Sequence, residues 1–206
     1  FMRRNTFFPQ VALVQLCFDS GNAAGTAWLV DPLCIQDAAP LKQLFEDPDV
    51  VKVLHSASED LEVFQCWLGT LPRPLFDTQK AGAMVGMDFG MGYRAMVLEL
   101  CEEDLPKGET RSDWLQRPLT ESQCHYAAQD VIWLLDADEV IAGKCREQGK
   151  YDWVLEDGES ACRGLASTNE AYYKRIKSAW KLLPPELSTL ISICRWREQT
   201  ARDKDK

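Results

Sequence analysis

Short apolar runs separated by turn-forming residues predict four strands in the first part of the chain. Residues 11–18 and 26–30 are mostly apolar, and the segment between them is rich in Gly, Asn and Ser. This stretch therefore predicts a β-hairpin with a loose loop. Residues 50–54 predict a third strand, and Leu75 with Phe76 predicts a fourth, short one.

Apolar positions spaced three and four residues apart predict helices between and after these strands. Leu61, Phe64 and Leu68 show this period within the helix predicted over residues 56–68. Helices are also predicted over residues 40–45, 93–102 and 120–144. The alternation of strands and helices predicts the α/β class, with a mixed sheet flanked by helices.

Local signals mark where two of the helices begin. Asp77 or Thr78 can cap the helix that follows the fourth strand. The segment Thr120-Glu-Ser-Gln123 is a capping box at the start of the longest helix. Residues 105–119, which precede that box, predict a long polar loop.

The last part of the chain predicts a separate helical unit. Residues 157–169 contain Gly, Ser, Thr and Asn and predict a linker, so the first domain is placed at residues 1–156 and the helical unit at residues 170–206. Two helical patterns follow the linker, at about residues 170–182 and 184–204. Apolar positions with helical spacing predict the core of a small bundle there: Trp180, Leu183, Leu187, Leu190, Ile191, Cys194 and Trp196.

The composition is that of a soluble folded protein and excludes a disordered chain or a fibre, with 46% hydrophobic and 27% charged residues. No apolar run is long enough to span a membrane, so no membrane partner is predicted. The eight cysteines form no Cys-x-x-Cys motif and no signal peptide precedes them. This favours a reducing, cytoplasmic location. Nothing in the sequence identifies a protein partner.

The net charge of −9 argues against a simple phosphate-clamping surface. The charge is unevenly distributed, however. From Thr168 onward nine basic residues oppose five acidic ones, a net charge of +4, and the remainder has a net charge of −13. An acidic body of this kind is compatible with a cleft that holds cations.

Two segments carry candidate chemistry. In the first, His55 follows a predicted strand, and Asp60 lies about one turn into the next helix. In the second, Tyr126 and Asp130 are four residues apart and share one face of the longest helix. Each feature alone has a structural alternative: Asp60 as a helix dipole partner, the Tyr126–Asp130 pair as surface neighbours, and His55 as a structural histidine. Neither histidine has a partner at metal-ligand spacing, which argues against a His-based zinc site.

Taken together, these segments resemble the ribonuclease D family of DnaQ-like 3′–5′ exoribonucleases of the DEDDy class, and the resemblance covers essentially the whole chain. Residues 55–64 resemble the second exonuclease motif and residues 125–130 the third. Further similar stretches lie at residues 6–16, 31–33, 77–79 and 107–115. Residues 172–202 resemble the opening of an HRDC domain, a helical nucleic-acid-binding module. The resemblance implies a ribonuclease H-like fold followed by the start of an HRDC-like domain.

The family resemblance also implies the chemistry. Four carboxylates hold two divalent cations, Mg²⁺ or Mn²⁺, and two-metal hydrolysis trims RNA 3′ ends to nucleoside 5′-monophosphates, as in the maturation of tRNA precursors. Asp60 is implied as the second-motif acid and Asp130 as the third-motif acid. Tyr126 is implied to orient the attacking water.

The sequence departs from the family at its first residue. The family's first motif is Asp-x-Glu followed directly by Phe, and the sequence begins at the corresponding Phe1. We therefore expect a preceding segment that carries these two acids, and the sequence as written is not expected to support two-metal catalysis. Two alternatives stay open: a DNA exonuclease of the same fold, and a catalytically inactive nucleic-acid-binding form.

Basic and aromatic residues near these motifs are candidates for contact with nucleic acid. Lys107, Arg111 and Trp114 can touch phosphates or a base, although Trp114 can equally be a packing anchor. Arg3 and Arg4 are expected near the mouth of the cleft, where they contact the scissile strand or are simply exposed. In the helical unit, six basic residues can track a phosphate backbone: Lys174, Arg175, Lys177, Lys181, Arg195 and Arg197.

Overall fold

The structure is a computed structural model, and it describes residues 1–3, 5–18, 26–106, 108–109, 112–166 and 172–206. The candidate residues Arg4, Lys107 and Arg111 lie outside the described residues. Within the described part of the chain, no helix is long and apolar enough to cross a membrane.

The four predicted strands are present. The first three are shorter than the apolar runs that predict them, and the fourth extends one residue further, to Asp77. Strands β1 (Val14–Cys17) and β2 (Ala27–Val30) form an antiparallel hairpin. Strands β3 (Lys52–Leu54) and β4 (Leu75–Asp77) pair in parallel. Among the described residues, these strands make two separate two-stranded sheets. The predicted hairpin is confirmed.

Eight α-helices are found in the described residues: α1 (Ala39–Glu46), α2 (Ser58–Leu68), α3 (Thr78–Met84), α4 (Tyr93–Cys101), α5 (Glu121–Ile132), α6 (Leu134–Glu147), α7 (Tyr151–Ala166) and α8 (Pro184–Lys204). The predicted starts of α3 and α5 are confirmed. Asp77 accepts a hydrogen bond from the backbone N–H of Gln79 at 2.9 Å. Both hydrogen bonds of the Thr120–Gln123 capping box are formed.

The single helix predicted over residues 120–144 is wrong, because two helices meet at Trp133. The break has a packing reason. Helix α5 packs against both strands of the hairpin, whereas α6 packs against α3 and α4. One straight helix could not follow both surfaces.

The linker predicted from residue 157 is also wrong as far as residue 166, since α7 is helical throughout this stretch. The linker prediction rests partly on Gly158 as a turn residue. A Cβ atom at this position would lie 2.3 Å from the carbonyl oxygen of Leu75. The glycine therefore permits close packing of α7 on β4 and does not mark a turn. The domain limits at 1–156 and 170–206 stay predictions.

The core of the body lies where α3, α4, α6 and α7 meet β4. Its buried side chains include Phe76, Met96, Ile141 and Val154. A second cluster, with Leu61, Leu75 and the free thiol of Cys162, joins α2 to α7. These two clusters hold the parallel strand pair β3–β4 between helices, which fixes the position of the segment that precedes α2.

The helical unit differs from its prediction. The first pattern, at about residues 170–182, forms two short 3₁₀ turns, Tyr172–Arg175 and Ala179–Lys181. Cys194 is buried as predicted, but Trp180, Leu183 and Trp196 are 80%, 66% and 67% exposed. Their assignment to a bundle core is wrong within the described residues, because α8 packs mainly against the Tyr172–Arg175 turn.

Candidate active site

A cavity of about 500 Å³ lies between the hairpin and the β3–β4 pair. Its walls are largely apolar, with Val14 and Leu16 from β1 on one side and Val53 and Leu54 from β3 on the other. Two candidate residues, Asp60 and Asp130, line this same cavity although they are 70 positions apart in the sequence. The fold therefore brings together the acids of the two sequence segments.

Asp60 lies in the first turn of α2, directly after β3. Burial raises the pKa of Asp60, and the charges of Glu59 and Asp77 raise it further. The helix N-terminus favours a negative charge at this position. Asp60 is thus a half-buried carboxylate whose charged form a nearby cation would stabilise.

The start of α2 is held by Asp77, a role that the sequence did not reveal. The Asp77 carboxylate accepts hydrogen bonds from the N–H groups of Ser56 and Ala57 at 3.0 and 2.9 Å, in addition to the one from Gln79. Ser56 has a left-handed backbone with φ +57°, which costs about 1 kcal/mol or more for a non-glycine residue. Asp77 stabilises this turn and so sets the position of Asp60. The signal available in the sequence was an acidic residue at the end of a buried strand.

Asp130 lies on α5, and burial raises its pKa to about 6. Tyr126 lies one turn earlier on the same helix, outside the wall of the cavity. Burial raises the pKa of Tyr126, and the charge of Asp130 raises it further. The Trp114 ring lies 6.1 Å from the Tyr126 ring, centroid to centroid. The structure thus places Trp114, from the loop before α5, beside Tyr126 on the helix that also carries Asp130.

The remaining candidates make structural contacts. His55 is hydrogen-bonded through Nδ1 to the Thr78 hydroxyl at 2.9 Å and through Nε2 to the Met91 carbonyl at 3.0 Å, which favours its structural interpretation. Arg3 pairs with Glu62 at 2.6 Å, on the helix that carries Asp60. Trp114 donates through Nε1 to the carbonyl of Glu109 at 3.1 Å.

Asp60 and Asp130 are chemically suited to a divalent cation, because carboxylate oxygens are the ligands that such hard cations prefer. In the described part of the chain, no other residue donates a hydrogen bond or forms an ion pair to either carboxylate. Burial raises the pKa values of Asp60 and Asp130, and among the same residues no hydrogen bond or ion pair offsets this effect. A bound cation would stabilise the charged form of each carboxylate. The described residues contain no group of three or more His, Cys, Asp or Glu side chains placed to hold a metal.

Comparison with known proteins identifies the class to which this fold and site belong. A sequence model of the 3′–5′ exonuclease family matches residues 1–142, and the chain belongs to that family. The expected fold class is confirmed at this level.

The particular relatives are ribonucleases D. Ribonuclease D of Pseudomonas paraeruginosa is 46% identical over 208 residues, an alignment that covers 100% of this chain and 54% of the relative. Ribonuclease D of Escherichia coli is 39% identical over 211 residues with the same coverage. The crystal structure of Escherichia coli RNase D, described as an exoribonuclease involved in structured RNA processing, matches with a TM-score of 0.86 and 39% identity, covering 100% of this chain and 54% of that chain. The chain spans about half the length of the curated relatives it matches.

Proposed function

We propose that this chain provides the catalytic body of a metal-dependent 3′–5′ exoribonuclease. The observation that carries the proposal is the cavity between the two sheets, which Asp60 and Asp130 both line as half-buried carboxylates with raised pKa values. The similarity to ribonucleases D over the whole chain supports RNA as the substrate.

Asp60 and Asp130 would hold two divalent cations, Mg²⁺ or Mn²⁺, together with further oxygen ligands. When bound, such cations activate water and stabilise the charge that develops at phosphorus during displacement. Asp77 keeps Asp60 in place by holding the turn before α2.

Tyr126 would act as a hydrogen-bond donor. Its raised pKa keeps the phenol protonated near neutral pH, so the hydroxyl can orient a water molecule or a phosphate oxygen but is a poor base. The products would be nucleoside 5′-monophosphates released one at a time from RNA 3′ ends. The description of the Escherichia coli structure, structured RNA processing, supports substrates such as tRNA precursors.

Two further features are included in the proposal. We place the start of an HRDC-like, nucleic-acid-binding unit at residues 170–206, supported by a row of exposed basic side chains at Lys174, Arg175, Lys177 and Lys181. We place the protein in the cytoplasm, supported by eight cysteines that are all free thiols.

The test is 3′ trimming of a labelled RNA by the full-length gene product in Mg²⁺ or Mn²⁺. Asp60→Asn and Asp130→Asn should each reduce kcat/KM by more than about a hundredfold, since even ligand-supporting residues at metal sites cost 10- to 100-fold. Glu59→Gln is the matched control, because Glu59 is an exposed acid on the same turn of α2. Undiminished trimming by either Asp variant would contradict the assignment.

A second candidate is a nucleic-acid-binding form without catalysis. It predicts RNA binding without any cleavage by the full-length gene product. The third candidate, a DNA exonuclease, predicts faster trimming of a DNA strand than of an RNA strand of the same sequence.

A further inference from the structure

Arg117 uses all five N–H donors of its guanidinium group. Nε and Nη2 donate to the two carboxylate oxygens of Asp31 at 2.5 and 2.7 Å. Nη2 also donates to the carbonyl of Ala12 at 2.7 Å, and Nη1 donates to the carbonyls of Trp114 and Gln116 at 3.0 and 2.8 Å. A planar guanidinium can satisfy this arrangement, and a lysine ammonium cannot.

These bonds join two distant parts of the chain. Ala12 precedes β1 and Asp31 follows β2, so both belong to the hairpin side of the cavity, whereas Trp114 and Gln116 belong to the loop before α5. The paired Arg117 side chain is the main cause of a lowered pKa at Asp31. Asp31 therefore stays charged at neutral pH, and the contact is a charge-assisted, bidentate pair.

The same loop is tied on its other side to α5. Gln123 donates through Nε2 to the carbonyl of Asp113 at 3.2 Å, and the Ser122 hydroxyl donates to the Glu109 carboxylate at 2.6 Å. Residues 112–119 of the loop are thus held between the hairpin and the N-terminus of α5. Trp114 lies between these two anchor points, with its carbonyl on Arg117 and its indole N–H on Glu109.

The Trp114 ring is the aromatic neighbour of Tyr126. Within the described residues, the Tyr126 hydroxyl forms no hydrogen bond, so the orientation of its ring depends on packing. A displacement of Trp114 would therefore change the direction in which the Tyr126 hydroxyl points.

We propose that Arg117 and Asp31 are positioning residues, which hold Trp114 against Tyr126 and thereby orient the Tyr126 hydroxyl for the reaction at the RNA 3′ end. This inference rests on the proposed exoribonuclease function. Arg117 and Asp31 touch neither the two site carboxylates nor the cavity; they act through Trp114.

The kinetic test uses Arg117→Lys in the full-length gene product. Loss of the bidentate pair should lower kcat about tenfold with KM unchanged within about twofold, because misorientation affects the reaction step more than binding. Asp31→Asn, which keeps the shape of the carboxylate, should lower kcat in the same direction. Arg73→Lys is the matched control, since Arg73 also pairs across the chain, with Glu159 at 3.4 Å, but at the opposite end of α2 from Asp60.

A double-mutant comparison separates positioning from general destabilisation. In a Tyr126→Phe background, Arg117→Lys should cause no further loss of kcat, because the hydroxyl it orients is gone. An equal loss in both backgrounds, or an unchanged kcat in Arg117→Lys, overturns the inference.

A structural measurement tests the inference without activity. With ¹³C-labelled tyrosine, the resonance that disappears in Tyr126→Phe identifies Tyr126. It should shift in Arg117→Lys and in Asp31→Asn, and it should stay in place in Arg73→Lys. An unmoved resonance overturns the positioning link even if the enzyme trims RNA. If the resonance shifts but the wild-type protein does not trim RNA, the proposed function is overturned instead. The role of the Arg117–Asp31 pair in that reaction is then overturned as well.

Discussion

Asp130 and Asp138 are half-buried carboxylates on consecutive helices, and burial raises the pKa of each to about 6. Their surroundings differ. Asp130 lines the cavity, where a cation could stabilise its charge. Asp138 has Arg146 and Glu139 as charged neighbours, and within the described residues its Oδ1 atom has no hydrogen-bond partner. Burial thus suits Asp130 to bind a cation, whereas the burial of the Asp138 carboxylate only destabilises the folded protein.

Asp138→Asn should stabilise the protein at high pH. A carboxyl whose pKa is raised by folding, from about 4 to about 6, favours the folded state below pH 4 and loses that contribution as the pH rises through 6. Asn removes the charge, so the free energy of unfolding should increase by on the order of 1–3 kcal/mol at pH 8 and change little at pH 4. Urea denaturation at the two pH values measures this.

Glu139→Gln is the control for Asp138→Asn, since Glu139 is exposed on the same turn of α6. It should leave the free energy of unfolding nearly unchanged at both pH values. A gain in Asp138→Asn that is equal at pH 4 and pH 8 would contradict the burial argument.

At the scale of elements, Asp77 connects three of them. It ends β4, caps α3 through Gln79 and holds the turn that begins α2 through Ser56 and Ala57. One side chain therefore holds the starts of two helices, and the positions of α2 and α3 are coupled.

Asp77→Ala should lower the free energy of unfolding by on the order of 2–4 kcal/mol, because it leaves the buried N–H of Ala57 and two further N–H groups without an acceptor. Asp37→Ala is the control, since Asp37 accepts one exposed hydrogen bond, from the N–H of Ala39 at the start of α1. It should cost about 1 kcal/mol. Equal losses in the two variants, measured by urea denaturation, would show that Asp77 acts as an ordinary cap.

Elements with local signals were predictable, and those shaped by distant contacts were not. The Thr120–Gln123 capping box and the Asp77 helix cap are predicted from residues within four positions of each other, and both are confirmed. The break at Trp133 and the helical Gly158 depend on surfaces contributed by other elements. For the site, local patterns made Asp60 and Asp130 candidates, and the family resemblance then implied their roles as motif acids. Their shared cavity and the Arg117–Asp31 pair needed the fold, because no local pattern links residues so far apart.

Over the whole molecule, charge is divided between an acidic body and a basic helical unit. The body's excess of acid would repel RNA except where cations intervene, whereas the exposed lysines of residues 170–206 can meet phosphates directly. Under the proposed function, substrate capture and catalysis would therefore take place on different surfaces.

Lys174→Gln combined with Lys177→Gln should weaken RNA binding by the full-length gene product and reduce its salt dependence. The slope of log K against log salt should become shallower by about 0.7 for each phosphate of a single strand that a lysine no longer neutralises. Lys42→Gln with Lys144→Gln, exposed lysines of the body, is the control and should leave the slope unchanged. Binding isotherms over a series of salt concentrations provide the measurement, and equal slopes for the two double variants would rule out the helical unit as the RNA-binding surface.

The close approach of Gly158 to the Leu75 carbonyl affects how variants of this protein should be interpreted. Only a hydrogen atom fits at position 158, so every substitution there must push α7 away from β4. In a screen scored by RNA trimming, such variants would be as inactive as those of Asp60 or Asp130. The Gly158 variants would lose activity because less of the protein is folded. Only activity per folded molecule would distinguish them from variants of the proposed metal-binding residues.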